Sequence, residues 1–249
     1  MSPRLTSAAF AGSGALFLLY IALRPSGDDA AAMASAAWVA GHAAAMAGFT
    51  LLGLAVLGLH QVLGDRLSLR AAAVTWAGAG LTLPYYGAED FGLNVIARRS
   101  LRDGTPALME LAAEFRYGPV AVGMFAAGLL LLAAGTVMAA AAVWRSGTLP
   151  RWSGTVLALG FVLFLPQFFT PYPVRVAHGA LVMAGGLWAA AALWRAAGRP
   201  PPVSPPRRRL LTAGARVAAP HAPGRHGQQG RAGQGEQGGE QPLPEPSRP

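Results

Sequence analysis

Six long windows of this chain contain no Asp, Glu or Arg: residues 5–23, 30–64, 71–88, 117–144, 152–174 and 176–194. The charges gather between them. A charge at the centre of a bilayer is costly, so charged residues punctuate membrane-spanning segments. A helix needs about 20 apolar residues to cross about 30 Å of hydrocarbon, and every window reaches or approaches that length. The pattern predicts an all-α, polytopic transmembrane helix bundle with spans at residues 5–23, 36–63, 71–88, 118–144, 152–170 and 176–194, about six in all. The second window exceeds what a span requires, so its first two turns are expected in the outer interface. Small residues recur inside the windows, as at Ala37/Gly41, Ala44/Gly48 and Gly185–Gly186. They suit close helix–helix approach in lipid.

Composition supports this class. Hydrophobic residues make up 53% of the chain and charged residues 12%, against about 25% charged in soluble domains. Cysteine is absent, which excludes disulfides, thiolate metal sites and cysteine nucleophiles. Arg4 and the first apolar window resemble a signal peptide, but Arg24 and Pro25 follow it directly where a small-residue cleavage site belongs, so it is expected to be retained. The formal charge of +9 is not a nucleic-acid signal. Eight Arg and three Glu lie in residues 199–249, and the rest of the charge is spread among loops.

Residues 1–197 are expected to form the membrane domain and residues 198–249, rich in Pro, Gly, Arg and Gln, a disordered cytoplasmic tail. Arg207, Arg208 and Arg209 are placed to meet anionic lipid headgroups or simply to anchor topology. With both termini in the cytoplasm of a plasma-membrane protein, ten membrane-proximal Arg lie inside and six outside, as the positive-inside rule favours. The outer loop, 89–116, carries a second feature. Thr105 and Pro106 read as N-cap and first helical residue. Leu108, Leu111, Ala112 and Phe115 then come at helical spacing, which predicts a short amphipathic helix lying on the bundle.

Polar residues inside spans are expensive and mark candidate sites. His42, Glu89, Asp90, Arg175 and His178 fall at the outer level, with Tyr86 and Gln167 at similar depth. Thr82 shares a helix face with Tyr86 and Glu89. Pro84 and Pro166 each remove a helical hydrogen bond and free a carbonyl near that level. His60 lies about 27 Å from His42 along the same helix and cannot share its site. An outward-facing polar pocket is expected from His42, Thr82, Tyr86, Glu89, Asp90, Gln167, Arg175 and His178. Four uses of it compete. They are a structural network pairing Arg175 with Glu89 or Asp90, a small-molecule binding or transport site, a metal site from His42, His178 and Glu89, and a haem between His42 and His178. The sequence contains no phosphate loop, no zinc-protease motif and no nucleophile elbow.

The segments WVAGH ending at His42, LPYYGAEDFG from Leu83 to Gly92, WRSG from Trp144, PRW from Pro150 and RVAHG from Arg175 together resemble a group of actinobacterial integral membrane proteins of unknown function. The resemblance spans residues 5–195 and implies the architecture but no activity. The expectation is a non-enzymatic membrane protein, without cofactor, that binds or passes a small molecule. The alternative is a membrane-embedded metal- or haem-dependent enzyme using His42 and His178. The bilayer is the expected partner, nucleic acid is not, and oligomeric state is not legible.

Overall fold

A computed structural model describes residues 1–198. The tail and Arg207, Arg208 and Arg209 lie outside the described residues. Among the described residues the fold is all-helical: α1 (Pro3–Leu23), α2 (Ala30–Ala34), α3 (Ala36–Leu63), α4 (Arg66–Gly87), a π-helical turn (Ala88–Gly92), α5 (Leu93–Asp103), α6 (Leu108–Tyr117), α7 (Pro119–Ser146), α8 (Thr155–Val162), a 3₁₀ turn (Pro166–Phe169) and α9 (Tyr172–Ala197). Four helices, α1, α3, α7 and α9, are long and apolar enough to cross a membrane.

Six helices close into a ring. In order around it, α1 packs on α3, α3 on α4, α4 on α7, α7 on α8, α8 on α9, and α9 back on α1. Neighbours run antiparallel. Met1 and Thr6 lie beside Gly58, while Arg24 lies beside Gly41 at the opposite end. The ring is filled by aromatic rings. Phe17 sits edge-on to Phe49, Phe161 and Phe164, with centroids 4.8, 5.4 and 5.5 Å away. All four are buried.

Close approach explains the small residues. A Cβ on Gly78 would lie 2.7 Å from the Leu132 nitrogen and 2.8 Å from the Gly128 carbonyl oxygen, so α4 and α7 touch backbone to backbone. Hydroxyls add bonds between helices: Ser7 donates to the Ala190 carbonyl at 2.6 Å and Ser13 to the Gly48 carbonyl at 2.9 Å. At the His60 end, α3 stops at Gly64, whose φ of 71° is a left-handed cap suited to glycine. Asp65 then caps α4, accepting from the Leu67 and Ser68 amides at 2.8 and 3.1 Å. What burial Asp65 has works to raise its pKa, but these bonds outweigh it and hold the carboxyl below its ordinary range.

Several expected boundaries change. The second window is two helices, because Ser35 ends α2 and caps α3 by accepting from the Trp38 amide at 3.1 Å. The third does not stop at residue 88. It passes through the π turn directly into α5, and Pro84 is carried within α4. Residues 89–116 are therefore mostly helix rather than loop. Thr105 does not cap α6, which begins at Leu108 after a turn and has no side-chain cap. Only its Ala112 is buried; Leu111 and Phe115 are exposed. The fifth segment is helical over only Thr155–Val162 before Pro166 diverts it.

Gly78→Val should force α4 and α7 apart and destabilise the bundle by about 1–3 kcal/mol or more. Gly80, where an added Cβ meets nothing within 4 Å, is the control. Gly80→Ala should be neutral or stabilising by up to about 1 kcal/mol. Thermal unfolding in detergent reads both.

Candidate functional site

At the His42 end, three elements converge on one carboxylate. Trp38 and His42 lie one turn apart on α3, so their rings share a face, with centroids 4.5 Å apart. The Trp38 indole N–H donates to the Glu89 backbone carbonyl at 2.8 Å, which ties α3 to the π turn. The Glu89 carboxylate then faces an arginine and a histidine. Arg116 of α6 donates from Nε to Oε1 at 2.6 Å, and His42 Nε2 lies 3.5 Å from Oε2. His42 Nδ1 is committed to the Trp38 carbonyl at 2.8 Å; a carbonyl only accepts, so Nδ1 carries a proton. Burial of Glu89 acts to raise its pKa. The hydrogen bond from His42 and the charge of Arg116 outweigh it and hold the carboxyl below its ordinary range.

The network extends over the end of the bundle. Arg116 also reaches Asp28 at 3.4 Å, and Asp28 forms an ion pair with Arg24. Arg24 and Arg116 lie over the Trp38 ring at 4.7 and 5.9 Å, in cation–π range. Burial alone would depress the Arg116 pKa, yet the Glu89 and Asp28 carboxylates hold it above its ordinary value.

Beneath this lies a cavity of about 430 Å³. Its lining combines the guanidinium groups of Arg24, Arg116 and Arg175 with His42, Glu89, Asp28 and seven aromatic rings: Tyr20, Tyr85, Tyr86, Tyr117, Phe125, Phe168 and Phe169. Tyr20, Tyr86 and His42 form a cluster with centroids 5.5–5.8 Å apart. The Tyr86 hydroxyl is buried with no hydrogen-bond partner, an uncommon state for a native polar group.

The eight residues expected in one pocket divide. His42, Tyr86, Glu89 and Arg175 line this cavity. Thr82 does not; it donates to the Gly78 carbonyl at 2.8 Å. Asp90 is fully buried, and both its oxygens lack a partner. Burial pushes its carboxyl above the ordinary range, with His42 opposing. Gln167 and His178 line a separate cavity of about 380 Å³.

The anticipated pairing of Arg175 with Glu89 or Asp90 is replaced. Arg175 donates to the carbonyls of Phe168 and Thr170 at 2.8 and 2.9 Å, and Arg116 partners Glu89. His178 Nε2 donates to the Gly160 carbonyl at 2.7 Å. In the ring, α1 stands between α3 and α9, so the histidines do not line a common cavity. Among the described residues no three His, Asp or Glu side chains gather as metal ligands. Sequence reading missed Tyr20, Arg24, Asp28, Trp38 and Arg116 as site residues. The i, i+4 spacing of Trp38 and His42 was the one local signal available.

The class defined by fold and site is an all-α, six-helix ring with a charged aromatic cavity at one end. Comparison with known protein families, curated proteins and solved structures gives no match.

Glu89 makes stability depend on pH. Its folded-state pKa is depressed, so its contribution is present above the unfolded value of about 4.3 and is lost as pH falls through the lower folded value. Melting temperature should drop across that acid interval in the native chain. Glu89→Gln should lower it at neutral pH and flatten the acid limb, because Arg116 loses its counter-charge.

Proposed function

We propose that this chain is an integral membrane protein whose ring provides six spanning segments, with both termini cytoplasmic, and that it binds a small amphipathic molecule in the cavity at its outer end. Support for the spans comes from the four long apolar helices, with α4 and the α8 segment completing the ring between them. α4 is 22 residues long, about 33 Å. The orientation rests on the sequence count of ten membrane-proximal Arg inside against six outside; of the ten, the four at 199 and 207–209 lie outside the described residues.

The observation that carries the binding reading is the cavity's chemistry. At about 430 Å³ it falls within the usual range for small-molecule sites, about 300–1,000 Å³. Aromatic walls suit an apolar or ring-bearing body. Arg24 and Arg175 on the lining suit an oxygen-bearing, acidic head, since guanidinium offers several donors in a fixed fork.

A dansyl-labelled fatty acid is a suitable probe for the full-length protein in nanodiscs. It should bind saturably, and Ala126→Trp, which fills the cavity, should weaken binding about tenfold or more. Non-saturable partitioning, or equal affinity in Ala126→Trp, overturns the reading. The orientation has its own measurement. Thr105 and Thr148 are exposed and native Cys is absent. In intact cells a charged maleimide should label Thr105→Cys and should reach Thr148→Cys only after permeabilisation. The reverse pattern inverts the topology.

A further inference from the structure

We infer that the ligand of the outer cavity is lipid-soluble and reaches it from the bilayer, through a lateral portal between α9 and the segment that follows α8, gated by the Pro166–Phe169 turn. This rests on the reading of the cavity as a binding site.

Two cavities at the His42 end share one wall. Leu165, Phe168 and Phe169 face the larger cavity. Leu163, Pro166, Gln167 and Thr170 face the smaller one, whose other side is Val174, His178 and Leu181 of α9. The partition is therefore one short turn of backbone. Around the smaller cavity the exterior is apolar: Leu163 and Val174 on its lining are exposed, as is Val162 beside them. Exposed apolar surface at this depth is what lipid chains contact. The water side of the larger cavity differs. It carries the linked charges of Arg24, Asp28 and Arg116, which offer nothing to an apolar tail.

The turn's own hydrogen bonds stay within its segment, with Gln167 N–H donating to the Leu163 carbonyl at 3.0 Å and Thr170 N–H to the Gln167 carbonyl at 3.1 Å, so its polar tie to α9 is one side chain. Pro166 has no N–H to anchor it. Its carbonyl at Phe168, and that of Thr170 beside it, are gripped by a single side chain, Arg175, which also lines the larger cavity. A ligand head that drew the Arg175 guanidinium toward itself would release both bonds. Gln167 gives a second, independent sign. It is buried, and neither its amide nitrogen nor its amide oxygen has a hydrogen-bond partner. Buried amides are normally paired, so the observed position of the turn leaves polar groups that another position, or a passing ligand, would satisfy. A ring or acyl chain with an oxygen-bearing head fits both compartments: apolar walls on the way in, guanidinium and phenol groups at the end.

The test uses the full-length protein in nanodiscs with one reporter, Ala126→Cys, on the lining of the larger cavity. Two reagents compete for it: bilayer-dissolved N-pyrenylmaleimide and a water-soluble sulfonated maleimide. Ala177, exposed on the rim of the smaller cavity, is changed to Trp to fill the portal. Ala177→Trp should slow pyrenylmaleimide about tenfold and leave the sulfonated reagent unchanged. Arg175→Gln should speed the pyrenyl reaction several-fold. If Ala177→Trp leaves the pyrenyl rate unchanged, or slows both reagents equally, the portal is wrong and the cavity stands. If neither reagent modifies Ala126→Cys in protein that elutes as a single species with unchanged melting temperature, the cavity reading itself fails.

Discussion

A carboxylate taken out of water must be compensated where it sits, and Glu89 imposes that requirement on the whole His42 end of the ring. Its backbone carbonyl holds Trp38, and its carboxylate oxygens face His42 and Arg116. These contacts recruit α3, the π turn and α6 to one point. The consequence spreads outward. Arg116 is fixed over the bundle, Asp28 is drawn to it, and Arg24 is drawn to Asp28. Removing any partner from such a chain strands a charge, which costs more than the pair's own attraction.

The π turn makes this arrangement geometrically possible. Wider turns of this kind recur at functional sites, and the extra residue rotates the helix on one side of the turn relative to the helix on the other. Here the buried face of α4, with Thr75, Ala79 and Thr82, passes into a second buried face carrying Leu93, Asn94 and Ala97. Glu89 and Asp90 are both enclosed at the junction. The Asn94 amide donates to the Met33 carbonyl at 2.8 Å, which fastens α2 to the continuation of α4. A small second core of Met33, Trp38, Leu93, Ala97 and Ala112 forms under α6. The charged end is thus a packed structure in its own right and not a loop laid over a bundle.

The ring below supplies the rigidity. Backbone contact at Gly78, Gly185 and Gly186 leaves no slack between α4 and α7, α8 and α9, or α9 and α1. The exception is the segment after α8, where Pro166 ends regular helix and two cavities meet. A rigid frame with one short turn tied to α9 by a single side chain confines movement to that turn. That is why the partition between the cavities is the place to look for access.

By itself the sequence determined the helical class, the approximate extent of α1, α3, α7 and α9, the small-residue contacts and the end of the bundle at which His42, Tyr86, Glu89 and Arg175 would sit. In those four helices the charge-free window sets the length, and counting residues along it places a side chain near one end or the other. Only the tertiary structure decided which helices are neighbours and which way each one faces. In segments apolar on every side, the face toward lipid and the face toward protein differ little in hydropathy, so periodicity carries almost no directional signal. That is why α1 could separate His42 from His178 without any trace in the pattern. It is also why Arg116, a surface residue by sequence, became the partner of the buried Glu89.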